Sequence, residues 1–263
     1  LHSQKEQYYQ AIDAFEMLLA IKDDYFMALY NIGNIYSTLG RLHDAIKYYE
    51  DALRCNPGDM ETLHNLASVY GDSGNYMKAI EIFSEIIEMA PEYFSPYFGR
   101  AVCYDSLEQY DKALRDYNKA LSINDKNPEL WYAKADMLYN MNRQEEALKC
   151  YRKVVALQPE NTECLFDLGM TYFELGMIDD AKKIFNSMIE VAPDWAEGYY
   201  SMAKAFAKSK DLKRTTDYLI KAMHLDQKRV DDFLLDFPEL LGSKDFKKLV
   251  IAITVSVKSL RHS

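Results

Sequence analysis

The chain has 263 residues, of which 49% are hydrophobic and 27% are charged, and both values are typical of folded globular proteins. Its 31 Lys and Arg residues against 41 Asp and Glu residues give a net charge of −10, which argues against nucleic acid or an anionic membrane surface as the main partner. Only 10 glycines and 7 prolines are present, so the composition favours helices over turn-rich folds.

Residues 1–25 are predicted to form one polar helix, without the apolar stretch of a secretory signal. Ala11 and Phe15 in this segment recur 34 residues later as Ala45 and Tyr49. We therefore interpret residues 1–25 as the second helix of a truncated N-terminal repeat, and we expect more of the protein to precede it.

From residue 26 to residue 229 the sequence repeats every 34 residues without an insertion or deletion. A small residue marks the first half of each unit: Gly33, Ala67, Ala101, Ala135, Gly169 and Ala203. A second small residue and, four positions later, a large ring mark the second half: Ala45 and Tyr49, Ala79 and Phe83, Ala113 and Tyr117, Ala147 and Tyr151, Ala181 and Phe185. Antiparallel helices need small residues where their backbones approach, and rings fill the space between hairpins. The pattern predicts six helical hairpins, at 26–59, 60–93, 94–127, 128–161, 162–195 and 196–229.

Helix-ending residues fall where this interpretation needs them. Glycines occur between the two predicted helices of three units: Gly40, Gly74 and Gly176. A left-handed helix C-cap favours glycine at that place. Prolines occur between one hairpin and the next: Pro57, Pro91, Pro159 and Pro193. There the missing N–H of proline is harmless, because the next helix has barely begun.

The first unit reads Leu29-x-x-Ile32-Gly33-x-x-Tyr36, followed by Ala45, Tyr49, Ala52 and Pro57. This pattern resembles the tetratricopeptide repeat, and it covers residues 26–229 as six units. The resemblance implies an all-α fold, a right-handed α–α superhelix or solenoid, whose first helices line a concave groove. Three positions depart from the pattern: Lys134, Thr215 and Gln227. The departures in the sixth unit are expected of a terminal repeat.

Residues 230–263 differ from the repeats and are predicted to form C-terminal capping helices and a tail. Gly242 is a stop signal for the first of these helices, and Ser243 is a suitable N-cap for the next. We expect their apolar residues to cover the open end of the last hairpin. A partner-binding helix is the alternative interpretation.

The residue types that carry catalysis are scattered. The five histidines share no spacing, and the four cysteines form no CxxC pair and no Cys/His cluster. Neither a glycine-rich phosphate loop nor a GxSxG motif is present. We therefore expect no enzyme activity, no cofactor and no metal site in this segment. Four reduced thiols are the expected state, and they favour the cytoplasm, with the periplasm left as the alternative.

The resemblance places ligand-facing residues at positions 2, 5, 6, 9, 12 and 13 of each unit, counting Phe26 as position 1. Position 5 is an aromatic row: Tyr30, His64, Phe98, Tyr132, Phe166 and Tyr200. These rings could pack against neighbouring first helices or form a platform for apolar and cationic side chains. Two asparagines at position 6 and one at position 9 suit the backbone of an extended peptide, although chance could equally supply them. The residues expected to contact a partner are Tyr30, Asn31, Asn34, His64, Asn65, Phe98, Tyr132, Asp136, Phe166, Asp167 and Tyr200.

Charge on these positions is strongly acidic, with nine carboxylates against Lys204 and Lys208. Family members that hold the acidic C-termini of chaperones use Lys and Arg at positions where this chain has Tyr30, Ser95 and Gly99. The matched Asn65 alone does not make such a site, so we do not expect a chaperone tail as the partner. An acidic, ring-lined groove favours a basic or apolar segment.

Three hypotheses of function follow. The first is a non-catalytic scaffold that binds an extended or helical segment of a partner protein in the concave groove. The second is a docking or regulatory domain of a larger enzyme whose catalytic part lies outside this chain. The third is self-association through the exposed first hairpin. None of them involves nucleic acid or insertion into a membrane.

Overall fold

The computed structural model describes residues 2–226 and 228–238, and among them the ordered segments are helices joined by short turns. The predicted all-α class is confirmed. The predicted stop at Gly242 and N-cap at Ser243 lie outside the described residues. In chain order the helices are α1 (His2–Ile21), α2 (Phe26–Thr38), α3 (Leu42–Cys55), α4 (Met60–Asp72), α5 (Tyr76–Met89), α6 (Phe94–Ser106), α7 (Tyr110–Ile123), α8 (Pro128–Asn140), α9 (Gln144–Leu157), α10 (Thr162–Glu174), α11 (Ile178–Val191), α12 (Ala196–Lys208), α13 (Leu212–Leu225) and α14 (Arg229–Asp236).

The helices alternate with the period found in the sequence. The even-numbered helices from α2 to α12 have 13 residues each, and the odd-numbered helices from α3 to α13 have 14. Successive first helices begin 34 residues apart, from Phe26 to Ala196. We propose the division into six 34-residue units on this basis. The chain also separates into two compact units, Leu1–Met137 and Leu138–Ser263, which are described separately.

Buried small residues and rings recur in the second helices of the repeats. The five second-helix alanines named above are fully buried, and the five rings that follow them are at most 2% exposed. At Gly33 an added Cβ would lie 2.7 Å from the ring of Tyr49. Only a residue without a side chain therefore allows this ring to lie against α2 in its present position.

The turn inside each hairpin uses the same left-handed backbone conformation in all six units. Glycine supplies it three times, at Gly40, Gly74 and Gly176, with φ values of 70°, 80° and 75°. Non-glycine residues adopt it in the remaining turns: Glu108, Asn142 and Lys210. Asparagine tolerates positive φ, whereas glutamate and lysine are strained there. The repeat therefore imposes this conformation even where the local residue disfavours it.

Helix α14 covers the end of the second compact unit. Phe233 and Phe237 stack with their ring centroids 4.9 Å apart and belong to the same buried cluster as Tyr200 and Leu219. Arg229 at the start of α14 forms an ion pair with Glu197 of α12 at 2.8 Å. These contacts support the proposal that the segment after residue 229 begins with a capping helix.

Candidate partner-binding groove

In the first compact unit, the predicted contact residues lie on the first helices α2, α4, α6 and α8. Of these eight residues, Asp136 is exposed. The other seven are half-buried: Tyr30, Asn31, Asn34, His64, Asn65, Phe98 and Tyr132. Asn31 donates from Nδ2 to the carbonyl oxygen of Met27 one turn earlier, at 2.6 Å. Its amide is therefore engaged within α2.

The other two asparagines join α2 to α4. Asn65 donates from Nδ2 to Oδ1 of Asn34 at 3.1 Å and to the hydroxyl of Tyr30 at 3.3 Å. Tyr30 in turn donates its hydroxyl proton to Glu61 at 2.7 Å, while the buried Tyr49 donates to Oδ1 of Asn34 at 2.6 Å. Burial and the bond to Glu61 raise the pKa of Tyr30. Asn34 and Asn65 therefore link neighbouring hairpins through their hydrogen bonds.

The position-5 rings lie on the buried rings of the second helices. Tyr30 contacts Tyr49 with 6.3 Å between ring centroids, and Phe98 contacts Tyr117 with 6.2 Å. His64 meets Phe83 edge-on at 5.5 Å. These contacts support packing as one role of the aromatic row. Because the rings are only half-buried, their outer faces remain part of the surface of α2, α4 and α6.

His64 is fixed on its other side by α6. Its Nε2 lies 2.7 Å from Oγ of Ser95, within hydrogen-bonding distance. Burial lowers the pKa of the imidazole, so the neutral form is favoured at neutral pH. A neutral ring beside a hydroxyl offers a polar edge to the groove without adding positive charge.

A cavity of about 580 Å³ opens between α4 and α6. Its size is within the range of small-ligand and side-chain pockets. Phe83, Phe98, Val102 and Cys103 give it an apolar lining. The further lining residues are His64, Ala67, Ser68, Gly71, Asp72, Tyr76, Phe94, Ser95, Gly99, Ser106, Asn127 and Glu129.

Two glycines line this cavity and allow close packing beside it. Gly99 lies against the ring of Phe83, where an added Cβ would be 2.3 Å from Cζ. Gly71 faces Cys103 from α4, and an added Cβ there would lie 3.6 Å from Sγ, an ordinary contact. Gly99 therefore allows Phe83 to lie against α6, and Gly71 allows α4 to lie close to Cys103, at the edges of the cavity.

A smaller and more polar cavity of about 340 Å³ adjoins the first one and is lined by α2 and α4. Asn34, Ser37, Thr38 and Asn65 contribute its polar groups. Ser68 and Asp72 line both cavities. The groove of the first unit therefore has an amide-rich part over α2 and α4 and an apolar part over α4 and α6.

Negative charge concentrates near the C-terminal ends of these first helices. Desolvation by burial and the neighbouring charge of Asp136 raise the pKa of Asp105 to about 6. Burial and the charge of Asp72 raise the pKa of the Cys103 thiol to about 11, so this cysteine is a neutral part of the lining. Carboxylates held close together in a partly buried place attract cations more strongly than exposed carboxylates do.

In the second compact unit, the predicted residues have different surroundings. Phe166 is half-buried and lies 6.2 Å from the ring of Trp195, and Asp167 is also half-buried. Tyr200 is only 5% exposed. Its ring meets Phe233 edge-on, and its hydroxyl donates to Asp236 at 2.9 Å. Since α14 covers it, we leave Tyr200 out of the proposed binding surface.

Helix α14 also pairs with charged residues of α12, the first helix of the sixth unit. Lys204 forms an ion pair with Asp236 at 2.9 Å, and Glu197 forms one with Arg229. Both partners belong to α14, which the repeat pattern does not include. The charges at positions 2 and 9 of the sixth unit are therefore matched within the chain.

The sequence did not predict that several residues would line the cavity. Ser95 and Val102 stand at positions 2 and 9 of their unit, which the resemblance marks as ligand-facing, but a serine and a valine carry no distinctive chemistry. Gly71 stands at position 12 and matters through the side chain that it lacks. Cys103 is outside the ligand-facing positions, so no sequence signal identifies it.

Residues 25–225 match the family described as the C-terminal domain of cilia and flagella-associated protein 70, a tetratricopeptide-repeat domain. The chain belongs to this family. The match covers the first five units and all but the last four residues of the sixth, and it agrees with the hairpins and the left-handed turns described above. A comparison with curated protein sequences finds no match.

Several solved structures share the fold of this family member. The C-terminal part of a repeat protein from Cytophaga hutchinsonii aligns with a TM-score of 0.71 at 16% identity, over 87% of this chain and 95% of that one. A repeat protein from Parabacteroides merdae gives 0.62 at 20% identity, over 89% and 93%. MamA from Desulfovibrio magneticus gives 0.57 at 18%, over 64% and 95%. At these identities the likeness concerns the fold alone.

Two further observations concern the described part of the chain. No group of three or more His, Cys, Asp or Glu side chains there is arranged to hold a metal ion. Between residues 2 and 238, leaving out residue 227, no helix has the length and apolar character needed to cross a membrane.

Proposed function

We propose that this tetratricopeptide domain is a non-catalytic scaffold that holds a segment of a partner protein against the first helices of its first compact unit. The cavity between α4 and α6 is the observation that carries the proposal. It combines a volume of about 580 Å³ with an apolar lining and polar groups at its edges, including His64, Ser95 and Asp72. Binding sites for side chains and small molecules have this composition.

Charge supports an apolar or basic segment as the ligand. Asp72 and Glu129 line the cavity, and burial and the charge of Asp136 raise the pKa of Asp105, the residue before the lining Ser106. An acidic tail would meet repulsion there, whereas a basic segment would be attracted. We therefore keep the acidic C-termini of chaperones outside the proposed partner class.

The family description supports a cellular setting. Because the matching family is named for a cilia- and flagella-associated protein, we propose that the partner is a protein of a cilium or flagellum. A fluorescently tagged chain expressed in ciliated cells should then concentrate in that organelle. Uniform distribution through the cell body would contradict this part of the proposal and leave the groove unaffected.

The groove assignment is tested by filling the cavity. Val102 is 41% exposed and lines the cavity, so Val102→Trp places a large ring inside it without replacing a core residue. The matched control is Val191→Trp, a valine of 38% exposure at the end of α11. Partner proteins identified with the unmodified domain should be retained by the control and lost by Val102→Trp. Equal retention by both variants would show that the partner binds elsewhere.

A further inference from the structure

The cavity between α4 and α6 is lined from the first residue of α6 to its last. On α6 its lining residues run from Phe94 to Ser106, and on α4 from His64 to Asp72. Twelve residues of α-helix span about 18 Å. An extended chain rises about 3.3 Å per residue, so the cavity matches a segment of about five residues.

The two ends of the cavity differ in electrostatic potential. Asp72 and Ser106 are the last residues of α4 and α6, so the carbonyl ends of both helix dipoles point to that end. Asp72 adds a full negative charge there. At the other end lie Glu129, in the first turn of α8, and the N-terminal turn of α6. There the helix N-termini partly offset the carboxylate.

The middle of the cavity is apolar. Phe98, Val102 and Cys103 lie on α6, and Phe83 closes the space from α5. Gly71 on α4 lies so close to Cys103 that an added Cβ would touch Sγ at 3.6 Å, so the space for an apolar group is beside this contact, next to Phe98 and Val102. Burying such a side chain is the main source of affinity in small pockets.

We propose that this cavity binds an extended segment in which a large apolar side chain is followed or preceded, about two residues away, by a lysine or arginine. The apolar side chain lies against Phe98 and Val102, and the cation lies at the Asp72 end. Val102 and the last residue of α6 are four residues apart, which is about 6 Å along the helix and about two residues of extended chain. This inference rests on the proposed function and specifies its ligand.

The direct test uses synthetic peptides of about five residues, matching the length of the cavity. The probe is a fluorescent peptide with leucine at its centre, lysine at one end and serine elsewhere, together with its reversed sequence. Fluorescence anisotropy with the whole chain should show that at least one of the two peptides, the forward or the reversed sequence, binds. Replacing the leucine by serine, or the lysine by glutamate, should each weaken binding about tenfold. Equal binding of the glutamate peptide would overturn the proposal.

Three variants locate the peptide. Gly71→Leu should abolish binding by filling the cavity, whereas Gly71→Ala should retain most of it, since only one methyl group is added. Asp72→Asn should weaken binding of the lysine peptide more than Glu129→Gln does, because the helix dipoles reinforce only Asp72. Circular dichroism and the thermal midpoint of unfolding are the measurements that check whether each variant is folded. An equal effect of the two charge variants would contradict the assigned position of the cation.

A random peptide library displayed against the chain separates this inference from the proposed function. Some selected peptides could fail to bind Val102→Trp and yet lack the apolar and basic pair. That result would support the proposed scaffold function and overturn the inferred ligand. If a selected peptide or partner binds Val102→Trp as tightly as the unmodified chain, the groove assignment itself fails. Selection of peptides with the apolar and basic pair, lost in Gly71→Leu, supports both.

Discussion

Asn34 and Asn65 are joined across two hairpins by a hydrogen bond of 3.1 Å, and Oδ1 of Asn34 also accepts the hydroxyl of the buried Tyr49 at 2.6 Å. The resemblance to peptide-binding repeats suggests a ligand role for these asparagines, yet their hydrogen bonds show a structural one. Tyr49 is 1% exposed, so its hydroxyl depends on the Asn34 acceptor.

Asn34→Ala is therefore expected to lower the free energy of unfolding by about 2 kcal/mol, since a buried hydroxyl loses its partner. Asn31→Ala is the matched control, because its amide bonds only within α2, and it should cost less than about 0.5 kcal/mol. Urea denaturation measures both, and a double-mutant cycle with Tyr49→Phe isolates the shared bond. Unchanged stability of Asn34→Ala with weaker partner binding would instead assign Asn34 to the ligand.

Glu108 and Lys210 occupy the left-handed turn that glycine occupies in three other units, with φ values of 56° and 61°. Glu108→Gly and Lys210→Gly should each raise the free energy of unfolding by about 0.5 to 1 kcal/mol, because relief of the strain exceeds the entropy that glycine costs. Gly40→Ala should act in the opposite direction, although no atom lies within 4 Å of the added Cβ. Thermal denaturation of the three variants decides the matter. A stabilising Gly40→Ala would contradict the conformational explanation.

The same turn shows how much of the fold can be predicted from the sequence. The glycines at Gly40, Gly74 and Gly176 predict a turn by their own chemistry, whereas Glu108 and Lys210 give no local signal of one. Only the 34-residue period identifies their conformation, because the packing of the two helices imposes it. The hairpins could therefore be predicted from the periodic small residues and rings even where the turn residues are unfavourable.

The candidate site was less predictable. The position-5 residues Tyr30, His64 and Phe98 were identified by position, but their contacts with second-helix rings depend on distances that the sequence does not give. Tyr200 follows the same pattern and is nevertheless covered by α14, through a hydrogen bond to a residue 36 positions later. Gly71 and Gly99, which line the cavity, pack closely against residues of the neighbouring hairpin. An absent side chain gives no pattern of its own.

Asp105 is expected to make stability depend on pH. Its pKa lies near 6, above the ordinary 3.8, because burial and the charge of Asp136 disfavour the carboxylate. The folded chain thus holds this proton more tightly than the unfolded chain. The free energy of unfolding should fall as pH rises from about 4 to about 6 and then level off.

Asp105→Asn should remove this dependence and stabilise the chain at pH 7 by about 1 kcal/mol, a value reduced to allow for solvent screening of a half-buried group. Below pH 4 the variant and the unmodified chain should be equally stable with respect to this group. Urea denaturation at several pH values measures the difference, with the exposed Asp111→Asn as control. A destabilised Asp105→Asn at pH 7 would mean that the charged carboxylate makes favourable contacts in the folded chain.

Phe233 is fully buried in α14 and lies against Tyr200. Phe233→Ala should lower the stability of the second compact unit by about 3 kcal/mol, through lost apolar burial and the cavity left behind. Leu235→Ala on the same helix is the control, because Leu235 is 80% exposed, and it should change stability by less than about 0.5 kcal/mol. Limited proteolysis should cut near α14 faster in Phe233→Ala alone. Equal effects of the two substitutions would show that α14 is not a cap.

Gly71 and Gly99 line the same cavity, but an added methyl group meets different surroundings at the two positions. At Gly99 the Cβ would lie 2.3 Å from Cζ of Phe83, a ring that is 2% exposed and cannot move freely. Gly99→Ala should therefore lower the free energy of unfolding by about 2 kcal/mol.

At Gly71 the nearest atom would be Sγ of Cys103 at 3.6 Å, so Gly71→Ala should add about 0.5 to 1 kcal/mol through the higher helix propensity of alanine. Urea denaturation of the two variants under identical conditions gives the comparison. Phe83→Leu combined with Gly99→Ala should recover part of the loss, because the smaller side chain yields the space that the new Cβ needs. If stability is not recovered, the loss in Gly99→Ala does not come from the contact with Phe83.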